Sequence, residues 1–357
     1  MKKKNILGVL PSYSAGGAEK IMLIYFSSII KRPFSLNLFV VNKLGPFKTN
    51  IYNTIECSYK RFLYSVPKLL ITIKKKNIEI IFSTFPHISI ILLITKMLKL
   101  HNCKIVIRQP NMLSSSLNTS YKLKFIKFIY LKVINKANII IVTSKAMRKE
   151  AYEYKLKKNK LFLLPNPVNV LKIRKKTVPR RTKGYGLKLV FVGRLSFQKG
   201  LDRVLELFSE LNSIEFLIIG EGNQKETLKN IITKHKLQSK VSFYGFMENP
   251  YSLVAGADYF LLPSRWEGLP NCVLESLALG TPVISFKDVV SLKDFSHNIK
   301  NKTITLIENK NSLLKLLKKL KPRKDYLKPQ LRKSLLTNPL NEEDYRNKLD
   351  KIILKSL

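Results

Sequence analysis

Short apolar runs alternate with amphipathic stretches along most of this chain. In the first half the runs fall at 5–11, 36–42, 78–83, 104–107, 138–143 and 160–165. Each has strand length and a largely unbroken apolar character, as expected of strands buried on both faces. Helical periodicity fills the gaps at 66–76, 88–100 and 121–136, and Ile21, Leu23, Ile24, Phe26 and Ile29 outline a further helix. Strand and helix in alternation predict a parallel α/β sheet.

The second half repeats the scheme. Strands are expected at 187–192, 216–219, 241–244, 259–263 and from 282 to 285. A helix is expected after Gly200, apolar at Leu201, Val204, Leu205, Phe208 and Leu211, and another over 249–257. Val273, Leu274, Leu277 and Ala278 recur at helical spacing, and Gly280 stops that helix. The basic stretch 172–186, with Pro179, Gly184 and Gly186, reads as connecting chain. The division expected is therefore 1–168, a linker at 169–186, and 187–340, with a last helix over 341–357 that is apolar at Tyr345, Leu349, Ile352 and Ile353.

Candidate chemistry concentrates where expected strands end. Glu267 lies in the Ser264-to-Pro270 turn and Glu275 on the helix that follows, so both can face the carboxyl edge of a parallel sheet, where ligands lie. Backbone amides at that helix start, around Asn271 to Val273, suit an anion. The loop between Gly193 and Gly200 carries two cations, Arg194 and Lys199, which suit a diphosphate. Gly16 and Gly17 follow the first strand and let backbone approach a ligand closely. His87, the turn Arg108-Gln109-Pro110-Asn111 and Ser144 also fall just past strand ends. His101, His235 and His297 read as surface positions.

The run Arg265-Trp266-Glu267-Gly268-Leu269-Pro270-Asn271, continuing through Glu275 to Ser285, resembles the signature of the retaining family 4 glycosyltransferases. That resemblance implies the GT-B fold: two facing Rossmann-like domains with parallel sheets and a cleft between them. It implies that Glu267 contacts donor-sugar hydroxyls, that Glu275 holds the nucleotide ribose, and that Arg194 and Lys199 bind the donor phosphates. Arg194, Lys199 and Glu267 are the catalytic set on this reading. Gly193, Gly245, Phe246, Gly268, Leu269 and Asn271 join the donor site, with backbone at Gly245-Phe246 reading the base. The Gly16-Gly17-Ala18-Glu19 loop resembles one that lies beside the donor diphosphate and acceptor in that family. The Arg108 turn loosely resembles a loop facing the acceptor or donor sugar, so His87, Arg108 and Asn111 form the expected acceptor side. The last helix in such chains often crosses back onto the first domain. Similarity is strong over about 187–285 and only in outline before that. After Ser285 it decays: Phe286 to Asp294 lacks the glycine-rich segment many members have there, which leaves the donor open.

Charge changes the picture further. The 65 basic and 23 acidic residues give +42, and residues 1–186 hold 37 basic against 5 acidic, a net of +32. Such a field favours an anionic leaflet or nucleic acid. A lysine-rich genome is the plain alternative. No nucleic-acid-binding motif is present, so nucleic acid is not an expected partner. The segment 121–136 is basic and aromatic at helical spacing, as in a membrane-surface helix or in a core helix with a lysine face. No run of about 20 clean apolar residues occurs, so no membrane-spanning helix is expected. Three cysteines, Cys57, Cys103 and Cys272, form no CxxC pair, which suggests a reduced compartment. The expected location is the cytoplasmic face of the plasma membrane.

With no Asp-x-Asp pair, HExxH or Cys/His cluster in the sequence, no metal and no cofactor are expected, and the basic residues would take a metal's part. The activity expected is sugar transfer from a nucleotide-diphosphate donor, with UDP the first expectation, to a hydroxyl of a polyprenyl-diphosphate-linked glycan acceptor in surface polysaccharide synthesis. A same-fold transferase on a soluble acceptor and a non-catalytic, basic membrane-binding subunit are the alternatives.

Overall fold

The computed structural model describes residues 3–14, 16–26, 34–48, 53–118, 120–175, 177–182, 186–296, 303–324 and 330–355, the last three before 297 by backbone alone. Ile29, Gly184 and His297 lie outside these residues. The chain forms two compact units, residues 1–167 with 342–357, and residues 168–341.

The first unit runs β1 (Lys4–Ser12), α1 (Gly17–Phe26), β2 (Phe34–Asn42), β3 (Thr54–Glu56), α2 (Phe62–Lys75), β4 (Ile80–Ser83), α3 (Pro86–Met97), β5 (Lys104–Arg108), α4 (Leu113–Ser116), α5 (Tyr121–Val133), β6 (Ile139–Val142), α6 (Lys145–Glu153) and β7 (Leu161–Leu163). Its seven strands are parallel in the order β3-β2-β1-β4-β5-β6-β7. The central strands β4 and β6 are buried at every residue, which explains their unbroken apolar runs. On one face Tyr25, Phe26 and Phe82 pack as an aromatic cluster, with Tyr25 and Phe82 rings 5.7 Å apart. Gly8 permits this, because a Cβ there would lie 2.6 Å from the Phe26 ring.

The second unit runs α7 (Val170–Lys175), β8 (Leu187–Val192), β9 (Ile214–Ile219), α8 (Lys225–Lys234), β10 (Val241–Gly245), α9 (Tyr251–Gly256), β11 (Tyr259–Leu262), α10 (Asn271–Ala278), β12 (Val283–Phe286), α11 (Val290–Ser296), β13 (Ile304–Ile307) and α12 (Lys310–Lys319). Its six parallel strands are ordered β10-β9-β8-β11-β12-β13. The segment ahead of β8 is tied to this unit. Arg174 donates to the Ala278 carbonyl, and Arg181 pairs with Asp258. The chain ends in α13 (Glu342–Lys355), which belongs to the first unit: Tyr25 donates to Asp350 and Arg346 to the Ile24 carbonyl.

Two expectations change. The helix after Gly200 forms as 3₁₀ turns at Leu201–Arg203 and Leu205–Glu210. Its apolar residues recur three apart, as 201/204 and 205/208/211, a spacing that aligns side chains on a three-residue turn. His101 is buried, not on the surface, because its ring is used on both sides: Nε2 meets Thr95 Oγ1 at 3.2 Å and Nδ1 accepts the Cys103 amide at 3.3 Å.

Candidate functional site

Each sheet has a point where strand order reverses, and there the loops after two neighbouring strands diverge to open a crevice. In the second unit that point lies between β8 and β11. The loop after β8 carries Gly193, Arg194 and Lys199; the loop after β11 carries Ser264 to Pro270. Two stretches about seventy residues apart are thereby brought face to face within one unit.

Their meeting centres on a carboxylate. Glu267 accepts from Lys199 Nζ at 2.6 Å, from Ser264 Oγ at 2.8 Å and from Gln198 Nε2 at 3.3 Å. Glu267 is buried, and the Lys199 side chain is only 15% exposed. Burial alone would lower the Lys199 ammonium, but the Glu267 carboxylate beside it more than offsets this and raises the pKa above the ordinary lysine value. Arg194 opposes that rise, so its charge is felt at the same spot. Arg194 itself is exposed and has no hydrogen-bond or ion-pair partner among the described residues. Glycines make the loop possible. Gly193 lies beneath the Lys199 stem, where a Cβ would meet its Cε at 3.4 Å. Gly200 has φ +65°, and a Cβ there would lie 2.3 Å from the Pro263 carbonyl oxygen.

Side chains the sequence did not single out lock the two loops together. Arg265 pairs bidentately with Asp202 at 2.6 and 2.8 Å, donates to the Phe197 carbonyl at 2.7 Å, and stacks on the Phe197 ring at 3.8 Å. Gln198 donates to the Trp266 carbonyl, and Arg203 pairs with Asp288 at 2.7 Å while lying over the Phe286 ring. These partners are 60 to 85 residues apart in sequence, and nothing local in either stretch signals them.

The other donor-side positions divide. Gly268 and Leu269 are buried in the loop behind Glu267. Asn271 starts α10, and Glu275 is partly exposed on its second turn. Cys272 lies among Lys199, Glu267 and Glu275, and burial first, then the two carboxylates, push its thiol up to about 12, which disfavours the thiolate. Of the amides expected to face an anion, that of Val273 donates to the Pro270 carbonyl at 3.1 Å, closing a tight first turn. Gly245 ends β10 with φ +66°, beside Gly220, whose amide donates to the Gly245 carbonyl at 2.7 Å. Phe246 follows, 41% exposed.

In the first unit Gly16 and Gly17 begin α1, where the Gly16 carbonyl accepts the Lys20 amide and Ser14 Oγ donates to Glu19 at 2.6 Å. His87 is exposed on the first turn of α3. Arg108 is not in an open turn; it is the last residue of β5, and its side chain points into the interior. Asn111 is partly exposed, and its carbonyl accepts from Gln109. Ser144 caps α6, accepting the Met147 amide.

Helix α5 has only Tyr130 buried. Tyr121, Phe125 and Phe128 are 90%, 63% and 54% exposed and share one face with Lys124 and Lys132, which lie over the Tyr121 and Phe128 rings. No described helix is long and apolar enough to cross a membrane.

Comparison with known proteins agrees with this geometry. Residues 172–334 match the family model described as glycosyl transferases group 1. The chain is similar to the Escherichia coli O-antigen biosynthesis glycosyltransferase WclY, 35% identical over 32% of this chain and 33% of that protein. It is also similar to a Campylobacter jejuni N-acetylgalactosamine-N,N'-diacetylbacillosaminyl-diphospho-undecaprenol 4-alpha-N-acetylgalactosaminyltransferase, 26% identical over 54% of this chain and 53% of that one. The chain thus spans about half or less of the length of these curated relatives. Its fold is similar to that of Anabaena HepE, solved with UDP-glucose, at a TM-score of 0.78 and 17% identity over 99% of this chain and all of the other. Residues 172–334 thus match the glycosyl transferases group 1 model, on a chain with the GT-B fold of two Rossmann-like parallel-sheet domains.

Proposed function

We propose that this chain is a retaining, family 4 glycosyltransferase that moves a sugar from a UDP-sugar to a hydroxyl of a polyprenyl-diphosphate-linked glycan. The observation that carries the proposal is the Lys199–Glu267 pair at the β8/β11 reversal point, with the exposed Arg194 guanidinium beside it. The WclY and Campylobacter similarities and the UDP-glucose bound to HepE support the class of donor and acceptor.

On this reading Arg194 and Lys199 neutralise the leaving diphosphate. Preorganised charge of this kind contributes on the order of 3–4 kcal/mol to a transition state when one donor is removed. Lys199, Ser264 and Gln198 hold Glu267 in one orientation, so its remaining lone pairs address the donor-sugar hydroxyls. Glu275 takes the ribose. The bond from the anomeric carbon to the diphosphate oxygen breaks with its electron pair on the leaving group. The acceptor hydroxyl attacks from the same face and its proton passes to a leaving phosphate oxygen. No metal or cofactor takes part. The anomeric centre keeps its configuration.

The exposed aromatic and lysine face of α5 docks the first unit on the anionic cytoplasmic leaflet, which brings a lipid-linked acceptor within reach.

The test is thermal unfolding with UDP-, GDP- and ADP-sugars, for wild type and Glu275→Ala. A sugar nucleotide at 100 times its Kd contributes about 2.7 kcal/mol. A shift with UDP-sugars in wild type, reduced in the variant, is the expected result. No shift with any nucleotide sugar overturns the proposal.

A further inference from the structure

Among the described residues, Arg181 and Arg332, both drawn into the interior, meet an acid or several carbonyl and hydroxyl oxygens, and Arg108 does not. The Arg181 guanidinium meets Asp258 at 2.9 Å on both nitrogens. Arg332 donates to the Asp258 and Ala257 carbonyls and to Thr281. Arg108 is 2% exposed, and among the described residues its one well-formed hydrogen bond runs from Nη2 to Asn166 Oδ1 at 2.5 Å. Its Nε and Nη1 have no partner. Burial pulls its pKa down, and no carboxylate is among the groups acting on it.

Other elements of the first unit bring buried polar groups to the same place. Tyr345, on α13, is fully buried with its hydroxyl against the Arg108 guanidinium, and the contact between them falls short of a well-formed hydrogen bond. Thr84 is buried with an unpartnered Oγ1. It follows Ser83, which pairs with Ile107, so it lies one step further on, alongside Arg108 at the carboxyl edge of the sheet. A positive charge, an amide and a tyrosine hydroxyl therefore meet, from β5, the chain after β7 and α13, with Thr84 at the neighbouring position past the end of β4 and no carboxylate acting on the charge. Burying an unpaired charge is costly enough that such groups are normally matched. Water satisfies hydroxyls but supplies no counter-charge. A planar carboxylate offers two oxygens, whereas a tetrahedral phosphate offers four and accepts from donors arriving in several directions.

We propose that Arg108, Thr84, Asn166 and Tyr345 form a phosphate-binding site in the first unit, at the carboxyl edge of β4 and β5. The phosphate belongs either to a free phosphate or diphosphate or to a lipid diphosphate. The second source deepens the acceptor side of the function proposed above and rests on that reading. Because the unpartnered atoms are closed off, filling the site ties β5 to α13, and occupancy and the seating of that helix rise together.

The experiment uses the full chain carrying Lys199→Ala, which weakens the phosphate contacts proposed for the second unit. Binding of inorganic phosphate, pyrophosphate and geranyl diphosphate is measured by calorimetry, against chloride at equal ionic strength. Hydrogen exchange of residues 342–355 is followed in parallel. Adding Arg108→Met is expected to weaken phosphate and pyrophosphate at least tenfold, with a smaller loss for Tyr345→Phe, which keeps the ring and its packing. Protection of α13 rises with phosphate and not in Arg108→Met. Geranyl diphosphate binding at least tenfold tighter than pyrophosphate assigns the site to a lipid diphosphate, and equal affinities assign it to the free anion. Affinities unchanged by both substitutions, or phosphate no better than chloride, overturn the proposal. Wild-type and Arg108→Met proteins are also compared for the UDP-sugar thermal shift. A shift retained in both, with no phosphate binding at Arg108, sinks this site while leaving the transferase reading standing.

Discussion

At the carboxyl edge of the second sheet three basic side chains meet acids: Lys199 meets Glu267, Arg265 meets Asp202 and Arg203 meets Asp288. At the same edge of the first sheet, Arg108 meets the amide of Asn166 and the hydroxyl of Tyr345, and no acid among the described residues. The winding is alike and the residues available are not. The first unit, residues 1–167 with 342–357, holds 9 acidic side chains against 34 basic ones, and the second, residues 168–341, holds 14 against 31. The second unit can fix its cations by internal pairing, so its loops are stiff before anything binds. The first unit has fewer carboxylates, and its ion pairs, such as Lys48–Glu56 and Arg346–Glu342, leave Arg108 without one. One unit is built to orient a ligand and the other to attract one.

Breaking the central pair has the largest expected effect. Lys199→Met leaves Glu267 charged and without its nearest cation, which should cost about 3–5 kcal/mol of stability in urea unfolding. Turnover should fall on the order of 10²–10³-fold if Lys199 also faces the leaving group. The pH dependence has a definite sign. The Lys199 pKa is raised in the folded state, so its contribution is complete below the ordinary lysine value of 10.5 and is lost only as pH climbs through the higher folded value. The stability gap between wild type and Lys199→Met should therefore stay constant from pH 7 to about 10 and narrow above that. A gap that closes between pH 7 and 9 contradicts the pairing.

Two arginines test the comparison itself. Arg181→Met strands the buried Asp258 carboxylate and should cost about 3–5 kcal/mol. Arg108→Met strands no acid. In phosphate-free buffer it should be within about 1 kcal/mol of wild type, or more stable, since a buried ion replaced by an apolar side chain of similar size is often neutral. Equal losses in the two variants would mean that Arg108 has a carboxylate partner after all.

Arg265→Ala removes a clamp at the rim. The guanidinium is partly exposed, so a loss of about 1.5–3 kcal/mol is an upper figure for its charged hydrogen bonds to Asp202. The catalytic consequence should exceed the thermodynamic one, because the loop bearing Lys199 loses its anchor. A fall in kcat/KM larger than the loss of stability accounts for, in protein still folded at the assay temperature, is the result expected. The smallest change in stability belongs to α5. Phe125→Ser with Phe128→Ser should move the unfolding midpoint by less than about 0.5 kcal/mol for each exposed site. It should nevertheless abolish pelleting with vesicles containing anionic lipid, and salt should release the wild type from them. Undiminished pelleting would remove α5 from the docking surface.

Local pattern carried much of this far. Apolar runs such as 139–142 and 283–286 are buried at every residue, and a strand covered on both faces cannot be written otherwise. Gly280 ends α10 with φ +79°, which a glycine supplies without strain. β13 and α12 were not read, since Ile304–Ile307 is four residues long and α12 is half lysine and polar. β3 was missed because three residues hold no periodicity. His101 misled because a single histidine carries no sign of its two partners.

The sequence by itself determined the two α/β units, the positions of the loops that end their strands, and the residues with chemistry to offer in those loops. These follow from periodicity and from glycine and proline, which act within a few residues. Only the tertiary structure decided which of those residues meet. Lys199 reaches Glu267 across 68 residues because β8 and β11 are neighbours at the reversal of strand order. Arg108 lacks an acid because β4, the chain after β7 and α13 bring it none. Pairing over such separations depends on which strands lie side by side, and strand order is set by the packing of the whole unit.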